Sequence, residues 1–425
     1  TGEGSGPVVP AAPLVVFLQR VQQTALRSLG GGGADPKLYV DLPLKRTLAA
    51  TFAAFEELPR NSSGCVAEDV LNSFIGEYLG GAEDGLEPVD PVDFTEEPED
   101  FLPLVEDRKI REWALQVHRI WRDLTRKVSG RVIENPELYT LLPLDKPVVV
   151  PGSRFRESYY WDSYWIIRGL LASKMYETAS GMVYNFISQI HKYGYVLNGS
   201  RAYYTNRSQP PLLSSMVVDI FRRTADTELV AKSLPALIQE HRFWTRGFHQ
   251  VLVDVRGSVH KLSRYYAMWN DPRPESSTID METAAKLPDR RARRRLYREI
   301  ASAAESGWDF SSRWMRNPPD LATLATTSIV PVDLNAFVLK MEMDIAFLAN
   351  ATGDEDTSER FRQHGEARRK AVDAVLWNGE MGQWLDYWLT TEAEEAEIHK
   401  WIPSGQNRNI YASNFVPLWL RTFYS

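Results

Sequence analysis

Residues 151–165 read PGSRFRESYYWDSYW, and the interpretation of the whole chain begins from this stretch. It combines two arginines, a glutamate and an aspartate with three tyrosines and two tryptophans. A sugar ring presents apolar C–H faces that stack on aromatic rings, and its hydroxyls bond to carboxylates and guanidinium groups. The stretch therefore predicts the floor of a sugar-binding pocket. An amphipathic helix start with its rings buried for packing is the alternative, and these residues alone leave it open.

Helical periodicity dominates the chain around this stretch. Apolar residues recur at three- and four-residue steps from Ile110 to Val128, which predicts a helix with Gly130 as its C-terminal cap. The same spacing predicts further helices at 160–175, 180–192, 213–223, 230–246 and 288–306, and one from about residue 333. Strand signals are confined to residues 250–262 and to a hairpin at Asn378-Gly379. The chain is therefore predicted to be all-α with a few short strands, and its motif-bearing loops fit a toroid of paired helices.

The first part of the chain differs from the rest in composition. Gly- and Pro-rich pieces at residues 1–13 and 29–35 precede an acidic stretch at 83–100. Such segments favour loops, so residues 1–107 are predicted to form an irregular lead-in that wraps the surface of the helical domain at residues 108–425.

Composition excludes several classes of protein. The 425 residues contain 49 Lys and Arg against 56 Asp and Glu, a net charge of −7 that gives no general attraction to nucleic acid. Cys65 is the only cysteine, so no intrachain disulfide and no thiolate metal cluster can form. No apolar run is long enough to span a bilayer. Because the chain starts at Thr1, the cellular compartment stays open.

Four later segments belong with this first motif; three of them repeat its mixture of charged and aromatic residues, and the last is aromatic without charge. They are NGSRAYYTNRSQPP (198–211), RYYAMWNDPRPESS (264–277), AESGWDFSSRW (304–314) and NIYASNFVPLW (409–419). The third motif, counted from residues 151–165, is residues 264–277, where Arg273 and Glu275 lie on either side of the stiff Pro274. The fifth motif, residues 409–419, resembles the wall of a pocket more than a set of reacting groups. Any one of the segments could be structural, but the set favours a binding site.

Asp309 is the candidate general acid. It lies between Trp308 and Phe310 and follows Gly307 by two residues. A carboxyl group among aromatic rings loses hydration, which raises its pKa and keeps it protonated near neutral pH. The structural alternative is that Asp309 caps a short helix starting at Phe310.

These motifs together resemble the inverting trehalase family, whose fold is an (α/α)6 toroid. The 151–165 stretch matches the family's first signature, with Ser153 where glycine is commoner. NGSRAYYTNRSQPP, RPES, ESGWDFSSRW, VPVDLN and SNFVPLW follow in the family's order, so the resemblance covers residues from about 37 onward. Details such as GSRFRE and RAYYTNRSQPP are most similar to plant members.

The resemblance implies a set of site residues. Asp309 matches the catalytic acid. Substrate-binding positions are matched by Arg154, Trp161, Asp162, Asn198, Arg207, Ser208, Gln209, Arg273, Pro274, Glu275 and Gly307. The implied reaction is hydrolysis of α,α-trehalose to two glucose molecules, with no metal or organic cofactor. The three arginines are expected to hold sugar hydroxyls and to keep Asp162 and Glu275 ionised beside a protonated Asp309.

One element of the family's pattern is not found. An inverting enzyme needs a second carboxylate, roughly 6.5–9.5 Å from the acid, to activate water. In the family this base follows a QWD signature in a Gly-rich segment, and nothing after Asn414 resembles either. We therefore expect a C-terminally truncated trehalase with an incomplete toroid that releases little or no glucose alone.

Two other functions compete with hydrolysis. A noncatalytic sugar-binding or regulatory protein would keep the pocket without the base. Nucleic-acid or partner binding would use an arginine run made of Arg290, Arg291, Arg293, Arg294, Arg295 and Arg298. A solvated helix face explains that run better, because Asp289 and Glu299 flank it and nothing nearby resembles a nucleic-acid module.

Four N-X-S/T sites bear on location. Asn198 and Asn206 fall inside a pocket motif, so Asn61 and Asn350 are the predicted glycan acceptors if the chain enters the secretory route. Similarity to plant trehalases implies an extracellular or cell-surface location, although the cytoplasm stays open.

Overall fold

Helices account for most of the structure, as predicted. The computed structural model describes residues 11–29, 35–102, 105–152, 154–389 and 397–420. In chain order the helices are α1 (Pro13–Ser28), α2 (Pro36–Asp41), α3 (Leu48–Glu56), α4 (Glu68–Tyr78), α5 (Arg108–Leu124), α6 (Gly130–Glu134), α7 (Asp162–Ala172), α8 (Tyr176–Tyr193), α9 (Leu213–Thr224), α10 (Thr227–Thr245), α11 (Ser277–Ala284), α12 (Arg290–Glu305), α13 (Val332–Ala351), α14 (Glu355–Val375) and α15 (Val416–Trp419). The strands are β1 (Leu86–Pro88), β2 (Thr125–Val128), β3 (Val148–Val149), β4 (Gln250–Val255), β5 (Ser258–Ser263), β6 (Ile329–Val330), β7 (Trp377–Asn378), β8 (Gln383–Trp384), β9 (Tyr387–Trp388) and β10 (His399–Lys400).

The N-terminal part is more regular than predicted. Much of the Gly- and Pro-rich sequence at 1–13 and 29–35 lies outside the described residues, but α1 to α4 occupy the segment in which an irregular lead-in was expected. Pro13 and Pro36 each begin a helix, where the missing N–H of proline costs nothing. Leu18, Val21 and other apolar residues of α1 are fully buried against α2 to α4. The division at residue 107 stays a prediction.

Helix α5 ends earlier than its apolar pattern predicts. Its last residue is Leu124, and residues 125–128 form β2 between β1 and β3. Gly130 is therefore no C-cap: it begins α6, whose N-cap Ser129 accepts a hydrogen bond from the Arg131 N–H. The pattern failed here because pairing with distant strands determines the backbone after Leu124.

The predicted central helices are present within a few residues of their predicted bounds. Helices α7 to α10, α12 and α13 share one large core that includes Ile167, Met216 and Phe337. Successive helices pack against each other from α7 to α10, and α13 packs on α9, α10 and α14. The sequence did not predict α14, whose surface is dominated by charged side chains. This packing brings the connecting loops, and with them the motifs, together.

The predicted strand region and the predicted hairpin are both confirmed, and the strand region also forms a hairpin. Strands β4 and β5 pair antiparallel about Arg256 and Gly257, whose positive φ angles of 54° and 88° suit a tight two-residue turn. Strands β7 and β8 form the hairpin at Asn378-Gly379: Asn378 is the last residue of β7 and pairs with Gln383, so residues 379–382 form the loop. None of the helices in the described ranges combines the length and the apolarity needed to cross a bilayer.

Candidate active site

The first two motifs meet at the N-terminal end of α7. The Tyr160 N–H donates to the Asn198 carbonyl at 3.2 Å, and the Trp161 N–H donates to Gln209 Oε1 at 3.1 Å. Asp162 is the first residue of the helix. Because the helix N-terminus is fixed by the second motif, Trp161 and Asp162 are held at a defined angle to residues 198–211.

Some aromatic rings of the first motif are buried for packing, and others are accessible as a sugar-binding surface would require. Tyr159, Tyr160 and Tyr164 are buried in the core, so packing explains them. Trp161 is partly exposed, and Trp165 keeps 45% of its surface exposed. The aromatic residues of this motif that are accessible in the structure are therefore the two tryptophans and Phe155.

Arg207 links the second and third motifs through one buried guanidinium group. Its Nε donates to Asn198 Oδ1 at 2.8 Å, its Nη1 to Asn206 Oδ1 at 3.1 Å, and its Nη2 to Glu275 Oε1 at 2.7 Å. The guanidinium also lies over the Tyr204 ring, 5.1 Å from its centre. The planar five-donor fork of arginine allows this arrangement, which lysine could not reproduce.

Other predicted contacts of the second motif face into the protein. The Ser208 hydroxyl donates to the Val196 carbonyl at 2.6 Å, and the Ser208 N–H donates to Glu305 Oε1 at 3.1 Å. Asn198 and Gln209 are also buried. These three side chains support the loop that holds Arg207, and their contact with substrate stays a prediction.

The third motif forms a turn that is held by ion pairs. Residues Pro274–Ser276 make one turn of 3₁₀ helix, with Arg273 before it. The Arg273 guanidinium donates twice to the Asp280 carboxylate, at 3.0 and 2.8 Å, and lies 4.8 Å from the centre of the Phe310 ring. Arg273 also approaches Glu275 Oε1 at 3.9 Å.

Glu275 is a buried carboxylate held in its charged form. Burial raises its pKa, but Arg207 and Arg273 outweigh this effect and hold the pKa below its ordinary value. Its second oxygen, Oε2, is buried and has no hydrogen-bond partner among the described residues, and the same is true of Asn206 Nδ2. A buried donor and a buried acceptor left over in one cluster suit a site whose remaining partners come from a ligand or water.

The fourth motif places Trp308 and Gly307 against the first. The ring centres of Trp161 and Trp308 lie 5.9 Å apart at 67°, and Trp308 Nε1 donates to Asp333 Oδ2 at 2.7 Å. Gly307 has a φ of +72°, and a Cβ atom there would approach the Trp161 indole to 2.7 Å. Glycine at 307 therefore permits both the turn and the contact between the two motifs.

Asp309 does not cap a helix, which was the structural alternative to its role as the acid. No helix starts at Phe310; the next 3₁₀ turn is capped by Ser311. Asp309 itself has a φ of 45°, in the left-handed region that costs a non-glycine residue about 1–2 kcal/mol. No hydrogen bond to its carboxyl group is formed by the described residues. A strained, unpaired carboxylic acid is the pattern expected of a functional group.

The surroundings of Asp309 raise its pKa above the ordinary value. Asp309 is an exposed residue, and loss of hydration at its carboxyl group is nevertheless the largest effect on the pKa and raises it. Arg273, Arg207 and Arg154 oppose the rise and Glu275 adds to it. Since these charges act on one carboxyl group, the structure brings four of the predicted site residues into range of Asp309.

Asp162 departs from the expectation. Burial is the largest influence on it and raises its pKa, and the Asp309 charge raises it further. The arginines therefore lower the pKa of Glu275 as predicted, whereas the group that lowers the pKa of Asp162 is its own backbone N–H and not an arginine.

Arg154 has a partner that the sequence did not suggest. Its guanidinium forms a two-point ion pair with Asp35, in which Nη2 donates to Oδ1 at 2.8 Å. Asp35 is also the N-cap of α2 and accepts from the Lys37 N–H. Partial burial raises the pKa of Asp35, but these hydrogen bonds keep it below its ordinary value. The Asp-Pro pair at 35–36 signals a helix start but not this contact.

A buried charge network beneath the first motif was also missed. Glu157 is fully buried and accepts from Lys37 Nζ at 2.8 Å and from Arg201 Nε at 3.0 Å. Lys37 also pairs with Asp41 at 2.5 Å, and Tyr159 donates to Glu157. Because Lys37 and Glu157 lie 120 residues apart in the chain, sequence spacing did not indicate the network.

The remaining predictions have mixed outcomes. Ser153 lies outside the described residues. In the fifth motif Trp419 stacks on Trp165 with ring centres 5.9 Å apart, which agrees with a wall position. The arginine run lies on exposed turns of α12, and the exclusion of nucleic acid stays a prediction. Surface grooves beside Phe101 and beside Tyr78 contain none of the site residues.

Comparisons with known proteins identify the family of the chain. A family model described as Trehalase matches residues 33–425. Trehalase from Arabidopsis thaliana is 53% identical over 426 residues, which cover 99% of this chain and 68% of that protein. A probable trehalase from Oryza sativa subsp. japonica is 53% identical, covering 100% of this chain and 75% of that protein. Trehalase from Homo sapiens is 38% identical, covering 92% of this chain and 65% of that protein.

The fold also has a counterpart of known structure. Neutral trehalase from Saccharomyces cerevisiae superimposes with a TM-score of 0.53 and 23% identity, covering 79% of this chain and 70% of that one. This match concerns the fold and confirms the toroid of paired helices. The higher identity to the plant proteins than to the human one confirms the plant-like character of the motifs. The chain belongs to the trehalase family of glycoside hydrolases.

Proposed function

We propose that the protein hydrolyses α,α-trehalose to two glucose molecules, with Asp309 as the general acid. The observation that carries the proposal is the Asp309 carboxyl group, which is reached by solvent, lacks a hydrogen bond within the described residues and has a raised pKa. An acid in this state can donate a proton to the glycosidic oxygen as the bond breaks. The trehalase names of the relatives supply the disaccharide.

The surrounding side chains have distinct roles in this mechanism. Trp161 and Trp308 offer ring faces and edges to the apolar side of a glucose unit. Arg207 and Arg273 hold Glu275 as a carboxylate that can accept hydroxyl donors. Their positive charges also limit how far the pKa of Asp309 rises, so that the acid is still able to release its proton.

Calorimetric titration with trehalose and an assay of released glucose test the proposal together. We expect Asp309→Asn to bind trehalose and to lower any glucose release by about 10²-fold or more. Release that is unchanged in Asp309→Asn would exclude Asp309 as the acid, and failure of the parent chain to bind trehalose would overturn the function. The same assay tests the expectation that these 425 residues alone release little glucose. Binding without release would favour the noncatalytic sugar-binding function.

We also propose an extracellular or cell-surface location. Asn61 and Asn350 are exposed, whereas Asn198 and Asn206 are buried in the site, so the two accessible sequons are those that would spare the substrate. Mass analysis of the protein from a plant secretory host should show glycan at Asn61 that is absent in Asn61→Gln. An unmodified secreted protein would remove this support.

A further inference from the structure

Gln22 is a fully buried amide in the otherwise apolar inner face of α1. Its exposed fraction is 0%, as is that of its neighbour Val21. A buried amide destabilises a protein unless its hydrogen-bonding groups are satisfied. The position of its partners therefore shows what the residue does.

All partners of Gln22 lie on two segments beside the active site. Nε2 donates to the Pro36 carbonyl and to the Pro274 carbonyl, each at 2.9 Å. Oε1 accepts from the Ser277 hydroxyl at 2.7 Å and from Thr278 Oγ1 at 3.4 Å. Two donors and two acceptor lone pairs are thus fully used. The side chain connects α1 to the start of α2 and to the turn 273–278.

This turn carries two of the charged groups that surround Asp309. Arg273 and Glu275 flank Pro274, whose carbonyl is the group that Gln22 holds. Pro274 has no N–H, so its carbonyl is the only backbone polar group through which the residue can be fixed. The side chains of Arg273 and Glu275 are anchored by Asp280 and Arg207, but the backbone between them is held by Gln22.

We propose that Gln22 is a positioning residue for the reaction and that it fixes the turn bearing Arg273 and Glu275 against Asp309. The N-terminal helix is then part of the active-site scaffold, although residue 22 lies before the segment that the family model matches. The inference deepens the proposed function and rests on it for its catalytic meaning. We call the hydrogen bonds from Gln22 to residues 274–278 the clamp; its presence can be tested without measuring hydrolysis of trehalose.

The experiment compares Gln22→Met with Val21→Ala in the full 425-residue chain. Methionine keeps the length of the side chain and removes all four hydrogen bonds. Val21 is equally buried in the same helix and has no polar group, so Val21→Ala reports the effect of destabilising α1 alone. Gln22→Ala provides a second test if Gln22→Met does not fold.

Hydrogen exchange of the backbone of residues 273–280 is the first measurement. We expect about tenfold faster exchange at the Arg273 and Ser276 N–H groups in Gln22→Met, because the turn loses its anchor, and no comparable change in Val21→Ala. Equal exchange in the two variants would overturn the proposal, whatever the activity of the chain.

The pH dependence of trehalose affinity is the second measurement. Arg273 is the strongest of the charges that lower the pKa of Asp309, so a looser turn should move the midpoint of the profile to higher pH in Gln22→Met only. An unmoved midpoint with faster exchange would overturn the positioning role. If the parent chain binds no trehalose, the proposed function fails, whereas faster exchange in Gln22→Met alone still supports the clamp.

Discussion

Glu240 offers a quantitative test of how the core beneath the active site is built. The side chain lies in α10 with 0% of its surface exposed. Its Oε1 accepts from the Tyr160 hydroxyl at 2.6 Å, whereas Oε2 has no partner among the described residues. Burial raises its pKa to about 8, against an ordinary value of 4.5, and the Tyr160 hydrogen bond opposes the rise. The folded protein is therefore expected to hold Glu240 in its neutral form at neutral pH.

The sign and size of the effect follow from these two values. Between pH 4.5 and 8 the folded state keeps a proton that the unfolded state has lost, so stability falls as pH rises. Each pH unit costs about 1.4 kcal/mol, and the window from 4.5 to 8 therefore costs at most about 5 kcal/mol. Glu240→Gln removes the titrating group. Its stability relative to the parent should rise steadily across this window.

Urea unfolding at pH 5, 6, 7 and 8 measures the difference between the variant and the parent. The control is Glu228→Gln, which makes the same exchange on an exposed side chain of the same helix and corrects for the loss of one charge. A difference between Glu240→Gln and the parent that is constant from pH 5 to 8, or that falls with pH, would refute the burial of a neutral carboxyl group. The test uses the change of this stability difference with pH and not its absolute size, because the glutamine amide in Glu240→Gln also alters the hydrogen bond with Tyr160.

Two further substitutions test the contacts around the active site. Gly307→Ala adds a Cβ atom against Trp161 in the left-handed region, so we expect a loss of about 1–2 kcal/mol from the backbone and about tenfold weaker trehalose binding. The control for backbone strain alone is Gly353→Ala: Gly353 has a φ of +80°, and an added Cβ atom there would have no neighbouring atom within 4 Å. Equal losses of trehalose affinity in the two variants would contradict this prediction. Lys37→Met leaves two buried carboxylates short of a partner and should lower the free energy of unfolding by about 3–5 kcal/mol in denaturant titrations. Lys232→Met breaks an exposed pair and should change stability little, so similar losses would argue against the buried network.

The sequence predicted features that depend on neighbouring residues. The spacing of apolar positions located α7 to α10, α12 and α13, because one face of each helix must be buried whatever covers it. Arg256-Gly257 located a hairpin, since the turn itself needs positive φ angles. The same reasoning failed at Gly130, where pairing of β2 with two distant strands ends α5 early.

The composition of the motifs identified the family and the candidate acid, but tertiary structure decided how the residues act. Nothing in the motifs distinguishes Asp162 from Glu275 as an ionised group. The fold places Arg207 and Arg273 beside Glu275 and leaves Asp162 subject to burial, so the pKa values of the two acids move in opposite directions.

Gln22 is the clearest example of a residue whose contacts could not be predicted from the sequence. It lies 252 residues from the Pro274 carbonyl that it holds, and nothing in the sequence of α1, which contains three glutamines, indicates that partner. Local sequence determines which elements form, because helix periodicity and turn geometry act over a few residues. Only the packed chain determines which charges and hydrogen-bonding groups lie next to each other and how far they are buried. Burial and neighbouring charges in turn shift the pKa values of the acids and determine where their side chains lie.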